Sequence, residues 1–574
     1  MTSVGSRAVF KFTGALSALE EKALEIFDAR LRHRQLTVDP DVTIRVQRNS
    51  VLAGDEFRLA GPEGGKKLEL VCGGPAAFLY AVGKILRSGK YENGLFSPGS
   101  WRGSFRPAKP IRCVYLASHF CNVFEMWPLE KMEEYIEDMA LLGYNYFCLV
   151  RGTRAKIAGS SEAVADMNRH LHLYKHANLL GMKCRVGALN IGYDDSPAEW
   201  RAAPTGHSFF GTEICTSNPD GLDYLERIRR EDFEIMRDLD VGICSFWPYD
   251  QGGCGCQKCF PYGANGMFKL ADRLLPVVRS IWPDIKISWS CWEFGREGTN
   301  EWELLYDRIN SGKADFIDYL EIDSHGSFPE YPLTHPLPGH AQITTFPEIS
   351  MWGRCPWGGF GATPLPKRFA ALYGEVLHIS VGGRLYSEGI FEDFNKAVYA
   401  AMFNSGTNET AEAIAEYARW EFGLPEALQG DFERLVELME ENHEGLIWLE
   451  KQEGSHEEFN ELKTKPVWSL KGKKWNRTNE MSALAEKIDS QLPEWARKCW
   501  RWRQFMLRVI IDCELANNND EPNQVTENAM NELVEIYGID PALASRRVSP
   551  FTDEWLKTHT REAFKLNMKS LGVD

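Results

Sequence analysis

The stretch Val241-Gly-Ile-Cys-Ser-Phe-Trp-Pro-Tyr-Asp250 runs small and apolar to Phe246, then turns aromatic and acidic. A parallel strand covered on both faces reads as a near-continuous apolar run. A polar tail at its C-terminal end is where a parallel barrel assembles its chemistry. Seven more stretches share this texture: Ile111–Phe120, Tyr144–Val150, Lys183–Asn190, Ile285–Phe294, Phe316–Asp323, Gln342–Ile349 and Gly383–Ile390. Amphipathic helices fall between most of them, at Leu129–Leu142, Gly221–Leu239, Met267–Ile281, Glu301–Ile309 and Lys367–Leu377. Eight strands alternating with helices is the count of a (β/α)8 TIM barrel. An open doubly wound sheet would carry a Gly-rich phosphate turn after its first strand. That position reads Ser118-His119-Phe120-Cys121-Asn122 instead.

Outward from the barrel, at residues 109–404, the chain changes character on both sides. Residues 1–108 alternate short strands (Val42–Val46, Leu68–Val71) with helices at Ala18–Arg32 and Ala76–Leu86, then leave through a Gly/Pro-rich linker around Ser97–Pro110. This is an N-terminal α+β domain. Residues 405–574 read as a highly charged C-terminal α-helical domain in which Trp448, Trp495, Trp500 and Trp502 serve as packing anchors. Its long helical tail offers a surface for a homodimer.

At roughly 150 residues per domain, 574 residues hold three or four domains or one barrel with appendages. Acidic residues outnumber basic ones, 81 to 65, for a formal charge of −16. Nucleic acid is therefore excluded as a first partner, since phosphate backbones are held by clustered Lys and Arg. No run approaches the ~20 apolar residues of a membrane span, and Met1–Phe12 lacks the apolar core of a secretory signal. No membrane partner is expected, and the chain as written is expected to be cytoplasmic. The 18 Trp exceed what a plain core needs and turn attention to flat ligands such as sugar rings.

The strand ends carry the expected site. His119 and Asn122 follow the first strand and Arg151 the second. Asp250 follows the fourth with Trp247 and Tyr249, Glu293 the fifth with Trp292, and Asp323 the sixth with His325. Glu348 follows the seventh with Trp352, and Glu388 the eighth with Tyr386. Crowded carboxylates raise one another's pKa, and aromatic walls add desolvation. One acid then stays protonated while another stays ionised, the division of labour that glycosidic cleavage needs. Asp250, followed by Gly252 and Gly253, is read as general acid and Glu348 as base or nucleophile. The remaining residues named here are read as substrate-binding, with no cofactor and no catalytic metal. Two other classes stay open. One is a metal-dependent sugar lyase or isomerase ligated by His119, His325, Asp323 and Glu348; the other is a non-catalytic carbohydrate-binding barrel.

Cys254-Gly-Cys256-Gln-Lys-Cys259 follows Asp250 closely, with Cys244 as a conceivable fourth zinc ligand. No second Cys or His pair completes a motif, so the stretch reads first as a tight structural loop or disulfide. No GxSxG elbow, P-loop or HExxH appears.

The run Ala76-Ala-Phe-Leu-Tyr-Ala-Val-Gly-Lys-Ile-Leu-Arg and the later Pro110-Ile-Arg-Cys-Val-Tyr-Leu resemble the accessory α+β domain feeding the first barrel strand of several glycoside hydrolases. These are the family 20 hexosaminidases, the family 67 α-glucuronidases and their relatives; the order of small α+β domain, barrel and C-terminal helical domain also resembles the family 67 and family 84 enzymes. Pro-Tyr-Asp250-Gln-Gly-Gly-Cys-Gly-Cys-x-x-Cys259 and Phe-Pro-Glu348-Ile-Ser-Met-Trp352 resemble signatures of a separate branch. The resemblance implies an exo-acting glycosidase on a carbohydrate substrate, with α-glucuronidase, N-acetylhexosaminidase and sialidase specificities open. Asp250 stands alone between Tyr249 and Gln251, where substrate-assisted hexosaminidases carry adjacent acids and family 67 enzymes carry Glu. Likeness to family 67 would imply inversion and an acidic sugar met by Arg151 or Arg354.

Overall fold

The computed structural model describes residues 5–118, 123–149, 159–193, 195–205, 212–250, 252–295, 299–324, 327–349, 361–444, 475–519, 521 and 523–537. Near the N-terminus, five strands form a mixed sheet in the order Phe10–Phe12, Thr43–Arg48, Lys67–Cys72, Phe57–Ala60, Gly103–Phe105. Helices α1 (Ala18–His33) and α2 (Pro75–Arg87) pack on it. Ser17 starts α1 with a capping box: its backbone N–H donates to Glu20 at 2.8 Å, and its hydroxyl accepts from the Glu20 N–H at 3.3 Å. Phe10, Phe27 and Phe78 meet edge to face at the centre of this layer.

The next eight strands close on themselves, all parallel. They are β1 (Ile111–Leu116), β2 (Tyr146–Leu149), β3 (Lys183–Ala188), β4 (Val241–Phe246), β5 (Lys286–Ser290), β6 (Tyr319–Asp323), β7 (Gln342–Phe346) and β8 (Ser380–Ser387). The crossover helices are α3 (Leu129–Leu142), α4 (Ser161–Leu179), α5 (Pro219–Ile235), α6 (Met267–Ile281), α7 (Glu301–Asn310), the five-residue Glu330–Thr334, α8 (Pro366–Val376) and α9 (Asp393–Ser405). This is the expected TIM barrel. Most strands end two to four residues before the apolar stretches do, so Trp247–Asp250 is already loop. Gly143, which ends α3, sits at φ +100°, and a side chain there would strike Asn404.

The barrel interior departs from the expected apolar filling. Arg185 on β3 and Arg384 on β8 grip the two carboxylate oxygens of Glu321 on β6; the Arg384 contact is 2.5 Å. Arg185 also donates to Ser245 and Ser288, at 2.6 and 3.0 Å. All three charged groups are buried. The inward face thus holds a paired polar layer beside the buried side chains of Cys113, Tyr115, Cys148 and Phe346.

Beyond the barrel come α10 (Ala411–Phe422), α11 (Gln429–Glu444), α12 (Thr478–Gln491), α13 (Trp500–Asn517) and α14 (Gln524–Tyr537). Trp502 is fully buried, as a packing anchor should be, and Trp495 and Trp500 are half-buried; Trp448 lies outside the described residues. A buried ion network ties the layers together. Arg501 on α13 pairs with Asp393 on α9 at 2.7 Å, Asp138 on α3 at 2.8 Å and Glu421 on α10 at 3.4 Å. Arg30 of α1 and Arg34, which caps its C-terminus, reach Asp138 and Glu421 at 2.8 and 3.0 Å. Among the described residues no helix is long and apolar enough to cross a membrane.

Candidate active site

Directly above the Arg185–Glu321–Arg384 layer lies an aromatic floor. The Arg384 guanidinium sits 4.6 Å from the Trp247 ring, 4.8 Å from Phe346 and 4.9 Å from Tyr115. Tyr386 packs edge-on to Tyr115, and its hydroxyl donates to Glu388. Three strands (β1, β7 and β8) and the loop after β4 thus contribute rings to one small, cation-backed plate.

Glu348 stands above the plate. Past the end of β7 the chain keeps pairing with β8: Tyr386 donates its N–H to Pro347 at 2.9 Å, and Ile349 donates to Tyr386 at 3.0 Å. This holds Glu348 at the C-terminal rim, 3% exposed. The Trp292 indole N–H, from the loop after β5, donates to its Oε1 at 3.2 Å. Trp292 in turn lies 5.9 Å from Trp247 at 31°. A buried carboxylate that accepts from an indole N–H beside an aromatic plate has the chemistry of a sugar-facing acid or base.

Asp250 lies at the same rim, four residues past β4, and is exposed. Its charge is felt by Tyr115 inside the barrel and by Glu213 beside it. Asp323 ends β6, half-buried, and Glu388 follows β8, buried. Glu293 takes a different direction from its neighbour Trp292. It sits in the left-handed region at φ 66°, a strained conformation for a non-glycine residue that functional sites tolerate. It lines a cavity of about 20 Å³, room for about one water, shared with Tyr249 and Glu301. Tyr249 is committed to that wall: its hydroxyl donates to Glu301 at 2.5 Å and accepts from the Gly263 N–H at 2.9 Å. Burial pushes the Glu301 carboxyl up to about 7, against the hydrogen bonds that favour its ionised form.

The structure therefore gathers Trp247, Trp292, Glu348, Tyr386 and Glu388 in one layer, with Asp250 and Asp323 on the same rim. It places Tyr249 and Glu293 in the adjoining wall. His119, Asn122, Arg151, His325 and Trp352 lie outside the described residues, as does Arg354. A cavity of about 360 Å³ lies elsewhere, in the seam between α2, α3, α9 and α10, where Lys84 and Arg87 of its lining pair with Glu416.

One acidic residue was not legible in the sequence. Glu213 lies in the long excursion between β3 and α5, where single bridges join Ile191 to Glu213 and Arg201 to Ile214. It is 2% exposed, and its Oε1 has no hydrogen-bond partner among the described residues. Burial pushes this carboxyl up to about 8; Asp250 adds to the shift and Arg201 opposes it. The segment has no hydrophobic period to mark it, and only its two bridges bring it to the rim.

No family profile matches the chain, and no curated protein matches it in sequence. Solved structures match it in fold. A family 89 glycoside hydrolase from Clostridium perfringens, in complex with 2-acetamido-1,2-dideoxynojirmycin, superposes with a TM-score of 0.58, covering 96% of this chain and 70% of its own at 12% identity. A family GH115 4-O-methyl-alpha-glucuronidase with specificity for decorated arabinogalactans gives 0.57, covering 98% and 78% at 11% identity. A GH138 enzyme targeting pectin rhamnogalacturonan II gives 0.56, covering 98% and 80% at 11% identity. The likeness to glycoside hydrolases read from the sequence is thus met at the level of fold.

Proposed function

We propose that this chain is an exo-acting glycoside hydrolase in which Asp250 protonates the departing oxygen and Glu348 attacks the sugar or activates water. The observation that carries the reading is Glu348 itself: a buried carboxylate at the C-terminal rim of a closed parallel barrel, held by the Trp292 N–H. It stands beside Glu388 and Tyr386, with Asp250 on the same rim. The Trp247 and Trp292 faces suit the apolar side of a pyranose ring, and Glu388 and Asp323 suit its hydroxyls. Three enzymes that act on or bind sugars share the fold, and one of them is a glucuronidase. The reaction as proposed draws on carboxylates alone.

The test is a panel of aryl uronides, N-acetylhexosaminides and sialosides, with proton NMR of the anomer first released. Turnover within the panel is expected. The anomer reports whether the two carboxylates act at the ~5–5.5 Å spacing of retention or the ~6.5–9.5 Å spacing of inversion. On the substrate turned over, Asp250→Asn and Glu348→Gln should each lower kcat at least ~10²-fold with the fold intact, the scale of a lost acid or base. Near-normal hydrolysis in both variants overturns the residue assignment. Sugar binding without turnover across the panel overturns the enzymatic reading.

A further inference from the structure

We propose that Cys215, Cys254, Cys256 and Cys259 form a tetrathiolate zinc site that staples the loop after β3 to the loop after β4. The sequence placed three of these thiols together but offered Cys244 as the fourth. Cys244 is buried within β4 and is not one of the four convergent thiols; the missing member is Cys215, thirty-nine positions before Cys254. The four sulfurs all lie within 4.8 Å of one another. Cys215 Sγ is 3.8 Å from Cys256 Sγ and 3.9 Å from Cys259 Sγ. A tetrahedron with zinc–sulfur bonds of about 2.3 Å has sulfur–sulfur edges of about 3.8 Å. A disulfide needs about 2.05 Å, and all four are free cysteines, so the disulfide reading of this stretch is corrected.

The surroundings fit a metal centre better than four packed neutral thiols. Lys269 Nζ donates to Ser217 Oγ at 2.5 Å, and Ser217 Oγ lies 3.0 Å from Cys259 Sγ. An ammonium cannot accept, so the serine proton is free to be donated to the sulfur, the contact that a metal-bound thiolate accepts from the groups around it. Zinc binding would release the thiol protons and leave two net negative charges on the centre, with the Lys269 ammonium one hydroxyl away. Backbone geometry is shaped to the knuckle as well. Gly252 and Gly253 take φ +102° and +69°, and a side chain on Gly255 would strike the Pro204 carbonyl. Cys254 and Cys259 are buried, Cys215 and Cys256 half-buried, as suits a closed structural site with no position open for a substrate. Cys215 lies two residues past Glu213 and Cys254 four past Asp250, so the metal would fix the wall that carries both acids.

The experiment uses the full chain, purified without added metal and dialysed against metal-free buffer. Plasma mass spectrometry should find one zinc per chain. Cys215→Ser and Cys256→Ser should each cut zinc by roughly tenfold or more, while Cys499→Ser retains it. Exchange with cobalt(II) should give the sulfur-to-metal charge-transfer and tetrahedral d–d bands of a tetrathiolate. Stripping the metal with a thiol reagent and chelator should lower Tm. Metal-free wild-type chain, iron in place of zinc, a cobalt spectrum without thiolate bands, or zinc retained in both variants would overturn the proposal. If the serine variants do not fold, the metal content and cobalt spectrum of the unaltered chain decide it. None of these readouts uses glycosidase activity, so the zinc site stands or falls independently of the proposed reaction.

Discussion

Trp292 shows how much a single donor decides at the rim. Its indole N–H donates to Glu348 Oε1 at 3.2 Å, and its ring also packs on Trp247. Trp292→Phe keeps the flat face and removes only the donor. A hydrogen bond to a charged group contributes about 1.5–3 kcal/mol, so kcat/KM should fall roughly 10- to 100-fold. Losing a donor to the ionised form also makes Glu348 harder to ionise. The acid limb of the kcat/KM profile should therefore move to higher pH. A purely structural role for the indole would lower activity without moving that limb, so the profile separates the two.

At the scale of elements, the loops after β4 and β5 are locked through one buried acid. Glu301, the first residue of α7, accepts from Tyr249 at 2.5 Å and from the Ala264 N–H at 3.2 Å. Burial holds its proton up to about pH 7, against an ordinary value of 4.5. Between those two pH values the folded chain binds a proton that the unfolded chain has lost. Stability contributed by this group is therefore full below about 4.5 and lost as pH rises through about 7, by an amount on the order of 3 kcal/mol. Glu301→Gln keeps the acceptor oxygen and removes the titration. Melting from pH 5 to 8 should show a steeper loss of Tm in the unaltered protein than in the variant; parallel profiles would refute the linkage. The helix was legible in the sequence as Glu301–Ile309. The acid's burial was not, because it depends on Tyr249 and Gly263 arriving from another loop.

Across the whole molecule, the layers are held by charge as well as by apolar packing. Arg501 is buried and joins α13 to Asp393, Asp138 and Glu421 on α9, α3 and α10, while Tyr135 and Tyr417 donate to Asp393 at 2.7 and 2.8 Å. Removing one partner of a buried pair leaves uncompensated charge and costs about 3–5 kcal/mol. Arg501→Ala should lower unfolding stability by about that much in equilibrium denaturation, more than truncation of an exposed pair such as Lys498 with Glu494. A loss under about 0.5 kcal/mol, the scale of an ordinary surface change, would mean that apolar contacts alone hold the helical layer on the barrel.

The sequence by itself determined the alternation of eight strands with helices, because hydrophobic period is a local property that each segment carries alone. Helices Leu129–Leu142 and Met267–Ile281 coincide with their sequence reading at both ends, and every barrel strand falls within or within three residues of its apolar stretch. The alternation also put carboxylates at the strand ends, since those positions follow from counting. Only the tertiary structure decided who pairs with whom: Arg185 and Arg384 on Glu321, Trp292 on Glu348, Cys215 beside Cys256 and Cys259, and Glu213 under the rim. Those pairings join residues as far apart in the chain as Arg185 and Glu321. They are set by the closure of the barrel and the path of its loops, which no local pattern in the chain encodes.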